Sequence, residues 1–195
     1  MSDYRLHCFG ESGNSYKAAL MLELTGSDWT PLWVPFFQGA TRSEQWRETI
    51  NAMGEAPVLI HGSRVLTQSG VILDYLVEQT GKFGGADADE KREILRWILF
   101  DNHKFTSYFA TLRFMLGIKK MPESPVTEFL RGRVIDAWKV VEKQLEVTDW
   151  LVGGRPTIAD FSLAGYVFYD EEVGFDPWTM FPAIDAWRQR LAALP

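Results

Sequence analysis

Strand-forming patterns stop before the middle of this chain. Up to Gly81, short β-favouring runs alternate with helical ones, and beyond it only helical periodicities remain. One change of pattern in 195 residues excludes an all-β fold, a simple bundle and a uniformly alternating α/β fold. The expected fold is an α/β N-terminal part, residues 1–81, followed by an all-α C-terminal part, residues 82–195. The Gly84–Asp89 stretch of Gly, Ala and Asp reads as the linker.

The first part can be resolved further. Tyr4 to Phe9 reads as a strand, broken by the turn and cap residues Gly10 to Ser15. Lys17, Leu20, Met21 and Leu24 then recur at helical spacing until Gly26 supplies a stop. Residues 29–37 form a second strand, confined to an edge or shortened by Pro31 and Pro35. Ser43 caps a short helix to about Ala52, and Pro57–His61 with Arg64–Thr67 make a hairpin around Gly62-Ser63. Ser69 is expected to cap the next helix, whose Val71, Ile72, Tyr75 and Leu76 form a stripe ending at Gly81. A helical crossover makes the first two strands parallel, and a tight turn makes the last two antiparallel. The order β-α-β-α-β-β-α is a thioredoxin-like layout. In the second part, a long helix is expected from about Asp87 to Gly117, interrupted by the proline-bearing stretch Lys119–Pro125. Others follow over Val126–Asp149, from Thr157, and from Phe181 or Pro182 to Leu194, the last with Ile184, Trp187 and Leu191 on one face.

Charge and composition narrow the partners. Twenty basic against 26 acidic residues give a net charge of −6, without the basic excess that nucleic acid requires. No apolar run is long enough to span a membrane, and the opening Met1-Ser2-Asp3-Tyr4-Arg5 has no leader-like stretch, so a cytoplasmic protein is expected. One cysteine, Cys8, cannot form an internal disulfide, and His7, His61 and His103 do not stand at metal-ligand spacing, so no metal is expected.

Four places carry chemistry. In the Ser12-Gly13-Asn14-Ser15 turn, free N–H groups at a helix start favour a thiolate or carboxylate. One of these residues must cap the helix, and Ser12 and Asn14 compete to donate to a substrate sulfur, which would lower its thiol pKa. At Ala56-Pro57, a trans bond is expected on frequency alone, whereas a cis bond would present the Ala56 backbone to an extended peptide ligand. Gln68-Ser69 at another helix start can hold a small carboxylate, with Gln68 accepting from a neighbouring ammonium. Thr157-Ile158-Ala159-Asp160 is a capping box, which already explains the Asp160 carboxylate. Cys8 lies inside a strand with no helix start to acidify it and is expected to be inert. His103 sits among Trp97, Phe100, Phe105, Tyr108 and Phe109 on the long helix, a face that suits a core or a dimer seam.

Taken in order, these motifs resemble the cytosolic glutathione S-transferase family from Arg5 to Leu194. Ser12 to Lys17 is similar to the first-turn motif of the serine-type theta, zeta and delta classes, and Ala56-Pro57 to the family's cis-proline loop. The resemblance implies that Ser12 donates to the glutathione thiolate, with Asn14 and Ser15 as alternatives, and that the Ala56 backbone pairs with the cysteinyl unit. It implies that Gln68 and Ser69 hold the γ-glutamyl end, and that Asn14, Glu55 and Pro57 belong to the same glutathione-binding set. Glu55 departs from the pattern, since relatives often carry Lys or Gln before this pair. By the same resemblance, Phe9, Tyr108 and Phe109 would line the site of a small apolar electrophile, and Asp101 would reach the glutathione ammonium across a homodimer. The implied function is glutathione conjugation. The alternatives are glutathione-dependent disulfide reduction or peroxidation, or a non-catalytic interaction module.

Overall fold

The computed structural model describes residues 3–195, so Met1 and Ser2 lie outside the described residues. The chain divides into two compact units, one up to Gly84 and one from Gly85 to Pro195.

The first unit is a four-stranded sheet in the order β2-β1-β3-β4. Its strands are β1 (Tyr4–Cys8), β2 (Trp29–Trp33), β3 (Val58–His61) and β4 (Arg64–Thr67), and its helices are α1 (Gly13–Thr25), α2 (Glu44–Thr49) and α3 (Ser69–Thr80). β1 pairs parallel with β2 and antiparallel with β3, and β3 pairs antiparallel with β4, the mixed sheet expected from the connections. β2 lies at the sheet edge and stops at Trp33, four residues earlier than expected. Beyond it, Val34 N makes one more bond to Cys8 O (2.9 Å), Pro35 has no N–H to give, and Phe36 N turns back onto Val34 O (2.8 Å). Leu6, Met21, Leu22, Val58, Leu59, Ile72, Leu73 and Leu76 are completely buried, each worth about 1.5–3 kcal/mol. His7, the neighbour of Leu6 on the opposite face, meets the Trp46 ring edge-on at 5.4 Å, which places α2 on the other side of the sheet from that core. Ser43 caps α2, which ends at Thr49 rather than near Ala52, because Ile50 N and Asn51 N both close onto Trp46 O. α1 ends where Gly26 adopts φ +70°, a left-handed cap that a side chain would strain.

The second unit is helical. α4 (Ala88–Phe100) and α5 (Thr106–Arg113) form one helical run, widened by π turns at Asp101–Phe105 and Phe114–Ile118. Asp87, read as linker, is the α4 cap: its Oδ1 accepts from Asp89 N and Glu90 N, both at 2.9 Å. α6 (Pro125–Leu145) starts after the proline stretch and ends four residues before Asp149, whose carbonyl accepts from Arg190 Nη2 (2.8 Å) instead of continuing the helix. α7 (Ile158–Leu163) is buried on every side, and α8 (Pro182–Ala192) packs through Ile184, Trp187 and Leu191. At the centre, the Trp138 ring stacks with Phe105 (5.2 Å, 12°) and Phe109 (5.5 Å, 8°).

Buried polar groups close the helix ends of this unit. Asp160 completes the capping box, accepting from Thr157 N (2.9 Å) with Oδ2 and from Leu151 N and Trp187 Nε1 (both 3.0 Å) with Oδ1. Glu142 of α6 caps α8 from 41 residues away, accepting from Ala183 N and Ile184 N at 2.9 Å each. No helix among the described residues is long and apolar enough to cross a membrane.

Candidate functional site

Two helices of the first unit start side by side. After β1 the chain turns so that Ser12 N donates to Phe9 O (3.2 Å), and Ser12 Oγ accepts from Ser15 N (3.1 Å). Ser12 is therefore the α1 cap. A serine hydroxyl that accepts one bond keeps its proton, so the same Oγ can still donate to a ligand. The first turn of α1 carries no acidic residue.

α3 begins differently from the sequence expectation. Gln68, not Ser69, occupies the cap position, at φ +68°, and its side chain caps nothing. A non-glycine residue held there costs on the order of 1–3 kcal/mol, strain of the kind that collects at functional sites. With Gln68 at the cap, Ser69 becomes the first helical residue, and its hydroxyl donates to Asn14 Oδ1 at 3.4 Å. This contact joins the first turns of α3 and α1, so two positive helix ends converge. Ser12 and Ser69 are both 6% exposed.

The loop before β3 completes the cluster. The Ala56-Pro57 bond is cis, as the family resemblance implies and against the trans bond expected on frequency. Asn51, which the sequence reading missed, holds this loop: its Nδ2 donates to Glu55 O and its Oδ1 accepts from Met53 N, both at 3.0 Å. No motif marks such an asparagine, because its role exists only once the loop has closed. Gln68 Nε2 donates to Glu55 Oε2 at 2.7 Å and to Met53 Sδ at 3.2 Å. The structure thus brings Ser12, Asn14, Glu55, Ala56, Pro57, Gln68 and Ser69 together in one unit. Phe9 adjoins them, its ring stacked on Phe36 (4.4 Å, 7°) and edge-on to Phe37 (5.9 Å). The Phe36-Phe37 pair read as the end of a strand in sequence.

Other expected residues serve elsewhere. Phe109 is 1% exposed and stacked on Trp138, so it is core and offers no face to an electrophile. Tyr108 is engaged by Arg133, whose Nη2 donates to the phenol oxygen (3.3 Å) while its guanidinium lies 5.2 Å from the ring centroid. Asp101 is completely buried, accepting from Thr106 Oγ1 and from Ser162 Oγ (2.6 Å), and is not available to reach a ligand across a dimer. The π turn explains this, because its wider loop sets Asp101 beside Thr106. His103 is exposed on the same turn. Burial pushes the Cys8 thiol up, partly countered by a hydrogen bond with the Leu32 backbone, so it is poorly suited to act as a thiolate. Burial also pushes the Asp160 carboxyl up, to about 6, against the pull of its hydrogen-bond donors. Among the described residues, no group of three His, Cys, Asp or Glu side chains could hold a metal.

Comparison with known proteins gives the same architecture. Residues 3–78 match the model of the glutathione S-transferase N-terminal domain, and residues 107–195 that of the C-terminal domain. A crystal structure of glutathione S-transferase from Pseudomonas fluorescens is 32% identical, covers 100% of this chain and 96% of its own, and superposes with a TM-score of 0.93. The chain belongs to the glutathione S-transferase family. Other members are more distant. Glutathione S-transferase theta-2 of Mus musculus is 25% identical over 82% of this chain and 68% of its own length. The disulfide-bond oxidoreductase YfcG of Escherichia coli is 24% identical over 96% and 89%. The first unit of this transferase is thus its thioredoxin-like domain and the second its helical domain. The family binds glutathione, and the cluster at the starts of α1 and α3 is the candidate site for it.

Proposed function

We propose that this protein binds glutathione at the converging starts of α1 and α3 and catalyses attack of its thiolate on a small apolar electrophile. The observation that carries this reading is the Ser69–Asn14 contact, which sets the starts of α1 and α3 beside the Ser12 hydroxyl. Ser69 and the first N–H groups of α3 receive the γ-glutamyl carboxylate, Gln68 Oε1 accepts from its ammonium, and the Ala56 backbone pairs with the cysteinyl unit. Ser12 donates to the sulfur, with Asn14 and the α1 dipole adding to the field. The thiol proton leaves to solvent, the sulfur forms a bond to the electrophilic carbon, and the leaving group departs with its bonding pair.

One hydrogen bond to a charged group is worth about 1.5–3 kcal/mol, or one to two pKa units. Ser12→Ala is therefore expected to raise the thiol pKa of bound glutathione by that amount and to lower kcat at neutral pH by about tenfold or more. Ultraviolet titration of the bound thiolate checks this, and an unchanged pKa would remove Ser12 from the catalytic role.

A second reading is favoured by the likeness to a disulfide-bond oxidoreductase. Exchange would then run between glutathione sulfurs rather than through Cys8, whose thiol is pushed up. Phe9, buried against Phe36 but next to the Ser12 turn, is the remaining candidate for contact with the electrophile. The helical domain leaves Leu95 and Leu99 exposed one turn apart on α4, and Phe129 and Val140 exposed on α6, and we assign these apolar faces to a homodimer. A cytoplasmic location belongs to the same reading, supported by a single unpaired cysteine and an acidic composition.

A further inference from the structure

Gln68 is neutral, yet an ammonium is best held where negative charge is close. The carboxylate beside it is that of Glu55. Its carboxylate Oε2 lies 2.7 Å from Gln68 Nε2, and among the described residues no cation stands within ion-pair distance of it. Arg47, the cation nearest along this loop, gives Nη1 to Ala52 O instead. An ionised carboxylate only accepts hydrogen bonds, so it fixes which way the amide faces: nitrogen toward Glu55, and Oε1 turned away as a free acceptor. The backbone of the same residue is held by Asn51, whose Nδ2 donates to Glu55 O.

We propose that Glu55 is a specificity-determining residue that selects ligands bearing a free α-ammonium, by orienting the Gln68 amide and supplying the negative charge that Gln68 lacks. Two residues 13 positions apart then do what one carboxylate at position 68 would do alone. An ammonium on Gln68 Oε1 would stand within about 6 Å of the Glu55 charge, close enough for attraction but exposed to solvent and salt. Glu55 is thus a positioning residue acting through Gln68, and its unusual charge beside an anionic tripeptide favours one end of that ligand. The inference rests on the glutathione reading of the site.

The test is calorimetric titration of the full chain with glutathione and with its deaminated analogue, in which hydrogen replaces the α-ammonium. The wild type is expected to prefer glutathione. Glu55→Gln should weaken glutathione about threefold to fivefold, as suits an exposed pair, and leave the analogue unchanged. Glu55→Gln/Gln68→Glu should restore the preference by moving the carboxylate to position 68, and added salt should erode it in both the wild type and the double variant. Glutathione binding that is unchanged or tighter in Glu55→Gln, equal loss for both ligands, or no recovery in the double variant would overturn the proposal. A wild type that binds both ligands equally overturns this proposal alone. A wild type that binds neither overturns the glutathione reading from which it starts.

Discussion

The two units differ most at one helix start, that of α3. In the helical domain, Asp87 closes α4, Ser124 closes α6, Thr157 with Asp160 closes α7, and Glu142 closes α8. In the thioredoxin-like domain, Ser43 closes α2 and the Ser12 hydroxyl closes α1, whereas α3 begins without a side-chain cap. Identical backbone N–H groups serve stability where a side chain already meets them and are open to binding where none does. A fold can therefore assign function by leaving a helix end open, at a local cost in stability that the rest of the unit offsets.

The sharpest way to break this contrast is to open a closed end. Asp160→Ala would strand Leu151 N, Thr157 N and Trp187 Nε1 in the interior, at about 1–3 kcal/mol for each unsatisfied group. The expected loss is about 3–9 kcal/mol, a large share of the roughly 5–15 kcal/mol that holds a whole domain, and denaturant melting would show the helical domain unfolding early. Melting like the wild type's would mean that the box is not what holds this domain.

A smaller effect separates fully buried from half-buried carboxylates within the helical domain. The hydrogen bond from Arg155, with help from Ala86 N, holds the Glu90 carboxyl down at about 2, against an ordinary 4.5. A lowered folded-state pKa stabilises the protein above about pH 4.5, and this contribution is lost as the pH falls from there toward 2. Asp160 runs the other way: its pKa is raised from 3.8 to about 6, so its contribution is greatest at low pH and declines as the pH rises through that window. Glu90→Gln should therefore lower stability slightly at neutral pH and flatten the acid limb of an unfolding curve. An acid limb identical to the wild type's would remove the Glu90–Arg155 pair from the account.

How much of this could be read from the sequence follows from the range of each interaction. The hairpin at Gly62-Ser63, the stop at Gly26 and the capping box at Thr157–Asp160 were legible, because each is settled within a few residues. The cap position at Gln68 was not, since a positive φ at a non-glycine residue has no sequence signature. The π turns were equally hidden: the stripe on the long helix showed that it was helical, but not that it widens at Asp101 and buries that carboxylate against Ser162, 61 residues away. Phe109 was misplaced for a related reason, since an aromatic stripe does not say which ring meets Trp138. Ser12 and the Gln68-Ser69 pair were legible as helix starts, whereas the Glu55–Gln68 bond needed the folded loop.

The proposed glutathione site stands or falls on the open start of α3 set beside α1. The most direct test is calorimetric titration with glutathione at neutral pH, comparing the wild type with Gln68→Ala/Ser69→Ala. The account predicts binding in the millimolar range or tighter for the wild type, lost in the double variant, with thermal stability nearly unchanged because neither side chain caps a helix. Equal binding by both proteins, or none by the wild type even in competition with an S-alkyl glutathione, would contradict it.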